Sequence, residues 1–290
     1  MGIGDTFTRS WDLTKQTFSV IKADKEILIF PILASFFSII FFAVMAVPFL
    51  MSNIMVELGF DKLGDLAYLI VMFLLYLGIA FISTFFNVAV VYCAKKRFEG
   101  GDPTFSEGLK EAFKRIHLIF MWSIVSAIVG IILNSIENAA RKSNNALAKM
   151  LLSGARSILG LLWSIVSVFV VPAMVFDNVG PFEALKKSTI AVKKTWGESI
   201  IRHYGLGLVQ VLFIIAGIII FGVPGFLLLT VMWQAGVAVL ALGVLYIIII
   251  MLVFGTANTV FNTALYMYAE KGKVPSVYKH ETMQNAFIKQ

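Results

Sequence analysis

Charge is scarce in this chain, and its gaps are informative. Only 14% of the 290 residues are charged, against 59% hydrophobic. A soluble domain carries about 25% charged and about 45–50% apolar residues. From His203 to Ala269 there is no Asp, Glu, Lys or Arg. A soluble fold of this size needs no such block, and an uncharged apolar run of about 18 residues or more reads as a membrane span. Cysteine is nearly absent: Cys93 stands alone, which excludes an intrachain disulfide framework. The histidines His117, His203 and His280 lie far apart in sequence. No His, Cys and carboxylate spacing matches a metal site, so neither metal nor cofactor is expected. No pair of carboxylates falls inside an apolar block, and the nearest acid, Glu137, sits at the end of one. No catalytic residue is expected, nor is an enzyme. A proton relay, which needs ionisable groups within the membrane, is disfavoured.

What remains is an all-α polytopic membrane protein, expected as a single integral membrane domain over 1–290. The first 26 residues mix charges with apolar residues, so the sequence predicts no cleavable signal. Six spans are expected: about Ile27–Ser52, Leu66–Tyr92, Ile116–Ile136, Ser157–Phe176, Leu206–Thr230, and a sixth from Gln234 that can continue to Ala269. Gly222-Val-Pro-Gly225 is expected to end or break the fifth. Nineteen Lys and Arg fall in the N-terminal segment, the second-to-third and fourth-to-fifth connections and the C-terminal tail, against five in the other connections. That asymmetry places both termini in the cytoplasm. The net charge of +7 then reads as orientation plus attraction to anionic lipid, not as nucleic-acid binding.

The connections carry their own pattern. Phe105, Leu109, Ala112, Phe113 and Ile116 recur at helical spacing, behind Pro103 and a capping box, Thr104-Phe-Ser-Glu107. Asp177-Asn-Val-Gly-Pro181 opens a second such helix, with Phe182, Leu185, Val192 and Trp196 apolar. Phe7, Trp11, Phe18 and Ile21 make a third stripe near the N-terminus. Three amphipathic interfacial helices are expected, apolar face down at the headgroup boundary. An internal repeat follows: one such helix plus two spans, over approximately 5–97, 103–176 and 180–271. Phe86-Asn87-Val-Ala89 and Phe261-Asn262-Thr-Ala264 align, each followed at equal spacing by Ala94 or Ala269 and by Lys96 or Lys271. Glu107-Gly-Leu-Lys110 matches Glu183-Ala-Leu-Lys186.

The polar residues within spans are mostly amides. Asn87, Asn134, Asn258 and Asn262 are candidates for a polar path or for interhelical hydrogen bonds, worth about 0.6–2 kcal/mol each in membranes. Lys186, Lys187, Lys193 and Lys194 are candidates for anionic-lipid contacts, at about 1 kcal/mol each. Gly205, Gly207 and Gly217 predict close helix approach, and the five tryptophans are expected mostly near span ends.

Val171-Pro-Ala-Met-Val-Phe-Asp-Asn-Val-Gly-Pro-Phe-Glu-Ala-Leu-Lys-Lys-Ser188, followed by Lys194-Thr-Trp-Gly-Glu198, carries a resemblance. It is similar to a group of uncharacterised prokaryotic multi-pass membrane proteins, known only as a domain of unknown function. That group is loosely akin to the membrane domains beside some glycerophosphodiester phosphodiesterases. The resemblance implies a prokaryotic cytoplasmic membrane and a similar helical fold, and it brings no activity. The expected role is lipid or small-solute binding or transport through cavities between the repeats. The alternative is an oligomeric scaffold or accessory subunit. Membrane lipids are the expected partners, with a homo-oligomer possible.

Overall fold

The computed structural model describes residues 3–50, 65–196, 205–275 and 277–278. Lys62, Arg202, His203, Lys279, His280 and Lys289 lie outside them, as do the side chains of Phe7 and Trp196.

The described chain is helical and contains no strand. In order it runs α1 (Ile3–Ala23), a 3₁₀ turn (Lys25–Leu28), α2 (Ile29–Leu50), α3 (Asp65–Phe98), α4 (Phe105–Lys114), α5 (Ile116–Lys142), α6 (Ala146–Ser167), α7 (Val170–Asp177) and α8 (Pro181–Trp196). It continues with α9 (Gly205–Gly217), a π turn (Ile218–Gly222), α10 (Val223–Val231) and α11 (Trp233–Lys271). Six stretches are long and apolar enough to cross a membrane: Lys25–Ala46, Leu69–Phe98, Ile116–Lys142, Ala146–Asp177, Leu206–Val231 and Trp233–Lys271.

The facing boundaries of the third and fourth spans differ from the sequence expectation. The third span does not stop near Ile136, and the fourth does not begin near Ser157. Both continue as helix until only Ser143, Asn144 and Asn145 separate them. Asn145 caps α6, its side-chain oxygen accepting from the N–H of Leu147 at 2.9 Å and of Ala148 at 3.3 Å. The charged residues 137–156 obscured this because their polarity reads as loop. The fifth span is interrupted at Gly222-Val-Pro-Gly225 and ends at Val231, beside the expected Thr230. The chain widens into the π turn, admits Pro224, and runs on to Val231. A π turn absorbs the N–H that proline lacks without ending the helix.

The chain packs as two units. One comprises Met1–Ile29, Ala94–Pro103 and Lys194–Gln290; the other comprises Phe30–Cys93 and Thr104–Lys193. In the first, α1 packs on α9 and α11. Phe254 of α11 has Phe18 of α1 at 5.3 Å and Phe213 of α9 at 5.8 Å between ring centroids. The buried strip of α1 is Thr14, Thr17, Val20 and Ile21, while Trp11 is exposed. Of the expected stripe, Ile21 is buried and Phe18 is half-buried against Phe254, while Trp11 departs from it. Thr17 tolerates burial because its hydroxyl bonds to the Leu13 carbonyl at 2.9 Å and to the Tyr278 hydroxyl at 3.1 Å. α1 is thus covered by protein on the face that holds Thr14 and Thr17.

In the second unit, α5 and α6 form an antiparallel hairpin. Trp122 and Trp163 stack across it at 5.4 Å, so these two pack helices together, whereas the sequence suggested interfacial anchors. α4 sits over the start of α2 and the end of α3. A Cβ on Gly108 would lie 2.6 Å from the Phe30 ring and 3.0 Å from the Cys93 sulfur.

Burial along the helices is one-sided. In α11 it dominates from Phe254 to Met267, whereas the first half is mostly exposed apart from Gly236 and Gly243. In α3 it begins at Thr84. In α5 it lies near the start, at Leu118, Ile119, Trp122, Ser123 and Ala127. In α9 it is Leu206 and Val209. The buried ends are those that join the basic connections.

Candidate functional site

The motif 171–188 gathers several polar contacts in the second unit. α7 is buried from Val170 through Val175. It exists because the chain breaks at Val168, freeing the N–H of Phe169, which donates to the Ser188 hydroxyl of α8 at 3.0 Å. At the other end Asn178 adopts a left-handed conformation, φ 53°, and its N–H closes on the Met174 carbonyl. Asparagine is among the few residues that accept this φ readily. The α7 carbonyls also receive a cation. Arg115, at the break between α4 and α5, donates to the carbonyls of Met174 and Val175, each at 3.3 Å. It pairs one turn back with Glu111. Burial alone would lift the Glu111 pKa, yet the hydrogen bonds from Arg115 and Lys114 outweigh it and hold the carboxyl below its ordinary range. Asp177 pairs with Lys187 at 3.0 Å, tying the end of α7 to α8.

The four candidate lysines therefore separate. Lys187 is committed to Asp177. Lys194 donates to the Ala269 carbonyl near the end of α11 at 3.4 Å. Lys186 and Lys193 remain exposed. At 100° per residue, Phe182, Lys186, Ile190 and Lys193 fall within an arc of about 80° on α8. All four are exposed, Phe182 at 77%. Ala184, Ser188 and Ala191 occupy the opposite, buried face. α4 repeats the plan: Gly108 and Ala112 are buried, and Ser106, Lys110, Phe113 and Lys114 face outward, Phe113 at 60% exposure. The expected capping box is present, with Thr104 accepting from the Glu107 N–H at 3.3 Å and Glu107 accepting from the Thr104 N–H at 3.0 Å.

The amides divide between the two units. Asn87 is half-buried in the second unit, Asn262 half-buried in the first, and Asn258 exposed. None of these three hydrogen-bonds to another described residue. Asn134 is half-buried on α5 and is engaged with a partner. Asn87 and Asn262 nonetheless have matching surroundings. Phe86 and Phe261, Val88 and Thr263, Ala89 and Ala264, Val90 and Leu265, Val91 and Tyr266 are all buried.

In the first unit, Arg97 pairs with Asp24 and with Asp102, the latter at 2.6 Å, and Lys271 meets Glu99 at 3.5 Å. After Gly272, at φ 63°, the chain turns back and buries Tyr278 between Phe98 and Phe261, each at 6.1 Å. Burial drives the Tyr278 hydroxyl well above its ordinary pKa, against a smaller opposing effect of the Thr17 hydrogen bond. Arg115, Ser188, Asp24 and Tyr278 had escaped the sequence reading. Each acts through a partner 19 to 261 residues away, and no local pattern marks such pairs. Among the described residues no group of three or more His, Cys, Asp and Glu is placed to hold a metal ion.

The profile of a family of unknown function (DUF6159) matches residues 66–276. No curated protein and no solved structure matches the chain.

Proposed function

The chain belongs to the DUF6159 family of unknown function, and on that premise we propose that it is an integral membrane protein that gathers anionic lipid at its interfacial helices. The observation that carries this is the outward face of α8, where Phe182 and Ile190 interleave with Lys186 and Lys193. Apolar side chains among lysines suit the headgroup boundary: the rings enter the acyl region while the ammonium groups meet phosphate. The Phe113, Lys110 and Lys114 face of α4 supports the same reading. In this proposal the basic connections and both termini face the cytoplasm of a prokaryotic cell, and the protein performs no catalytic step. The finer role is handling or transport of a lipid or small solute. The half-buried amides of Asn87 and Asn262, each in its own unit, are then polar groups that a bound molecule meets.

The test is native mass spectrometry of protein extracted with its surrounding lipid. Lys186→Gln with Lys193→Gln removes two contacts of about 1 kcal/mol each, roughly a 30-fold loss of preference. Enrichment of phosphatidylglycerol or cardiolipin over the bulk bilayer should fall towards the bulk ratio. A retained species released by Asn262→Leu would extend the reading to handling. Unchanged enrichment in the double variant, or a sharp oligomer carrying only bulk lipid, would sink it in favour of a scaffold.

A further inference from the structure

The α5–α6 hairpin ends in a tip that the spans do not need. Ile116 to Glu137 already covers about 32 Å of helix, the thickness of a bilayer's hydrocarbon core. Glu137 pairs with Arg141 on its own helix at 3.3 Å and with Arg156 across the hairpin at 3.5 Å. That contact ties the two helices together below the turn. The hairpin turns at Ser143, Asn144 and Asn145, at the end of the helices opposite α4 and α8. The tip carries Arg141, Lys142, Lys149 and Arg156 against a single acid, Glu137. Lys142 and Lys149 are exposed and pair with no other described residue. Leu147, Met150 and Leu151 are also exposed, at 59%, 65% and 61%. With Ile158, Leu161 and Leu162 they form one exposed apolar stripe along α6.

We infer that this tip is a second lipid-binding surface, in which Leu147, Met150 and Leu151 enter the leaflet opposite the one bordered by α4 and α8, while Lys142 and Lys149 hold anionic phospholipid headgroups. The continuity of the apolar stripe with the span below it argues for the bilayer as occupant. A second copy is the poorer fit. A two-fold contact sets the same patch against itself, and here it would oppose basic side chains to basic side chains. The surface is independent of the α8 lysines, so either can fail without the other.

The experiment uses the full chain in nanodiscs of phosphatidylcholine alone or mixed with phosphatidylglycerol. Nitroxide labels are placed singly by Leu147→Cys, Leu151→Cys and, as a control at the turn, Asn144→Cys. Cys93 is buried and takes no label. Collision with oxygen reports lipid, and collision with a water-soluble nickel chelate reports solvent. Phosphatidylglycerol should raise the oxygen-to-nickel ratio several-fold at 147 and 151 but not at 144. Lys142→Gln with Lys149→Gln should abolish that rise. The inference is overturned if both labels stay open to nickel in every nanodisc, if the ratio ignores phosphatidylglycerol, or if spectral broadening shows labels of two copies side by side.

Discussion

A hydrogen in place of a methyl group sets how closely the last two helices run. A Cβ on Gly236 would lie 2.6 Å from the Leu229 backbone nitrogen and 2.8 Å from its Cα, and backbone cannot step aside. α10 and α11 are joined through Met232 alone, so the close approach and the one-residue turn require each other. Gly236→Ala should cost about 1–3 kcal/mol through overpacking. Gly154→Ala is the control: nothing lies within 4 Å of the Cβ it adds, and alanine improves helix propensity by about 1 kcal/mol. Thermal melts in mild detergent should show the first variant lowered by several degrees and the second unchanged or raised. The same contrast shows what a residue type leaves open. Both glycines sit in helices and read alike in sequence, and only the neighbour across the gap separates them. Gly217 lies between the two, since a Cβ there would meet the Tyr246 ring at 2.4 Å and that ring must shift.

At the scale of the element, the short connecting helices hold the span ends in place. α4 and α8 each bury two small residues, Gly108 and Ala112, Ala184 and Ser188, and so approach the spans closely. The α4–α5 break is fastened by the Glu111–Arg115 pair and by the Arg115 bonds to α7. Because the folded-state pKa of Glu111 is lowered, the stability it adds is complete above its unfolded value and is lost as pH falls through the folded one. The loss therefore sets in only below the ordinary value of 4.5. Acid melts should fall more steeply there in the parent than in Glu111→Gln, and a matching acid slope in the variant would remove Glu111 from the account. The capping box was legible in the sequence, since it is made of residues three apart, whereas the outward face of α8 was not: spacing had set Phe182 on the apolar side with Val192, and the structure exposes Phe182 beside Lys186 and Lys193 and buries Val192. The Ser188 bond to Phe169 was not legible either, because it answers a helix break that no residue near Ser188 announces.

At the scale of the whole chain, the helices change environment along their length. α11 has 39 residues, about 58 Å of helix, nearly twice the hydrocarbon thickness. Its exposed first half is the part suited to lipid, and its buried stretch from Phe254 to Met267 is covered by protein. Asn258 lies about 37 Å of helix from Trp233, so a span that begins at Trp233 leaves both Asn258 and Asn262 beyond the hydrocarbon core. Hydrogen exchange should resolve the two halves. When lipid is replaced by a short-chain detergent, amides in 233–253 should lose protection first while those in 254–267 keep theirs. Equal loss in both halves would mean that lipid, and not protein packing, orders the second.

The sequence by itself determined the solvent. Charge-free blocks as long as a bilayer is thick admit few environments, so six spans, an all-helical chain and basic connections follow from composition and periodicity alone. It could not say which apolar residues meet lipid and which meet protein. Both are satisfied by the same side chains, and from His203 to Ala269 no charge marks where one gives way to the other. Only the tertiary structure decided that the buried face of α1 carries threonines, that residues 137–156 extend two helices, and that half of the longest apolar helix is covered by protein. Those choices depend on partners distant in the chain, and a local pattern carries no record of a distant partner.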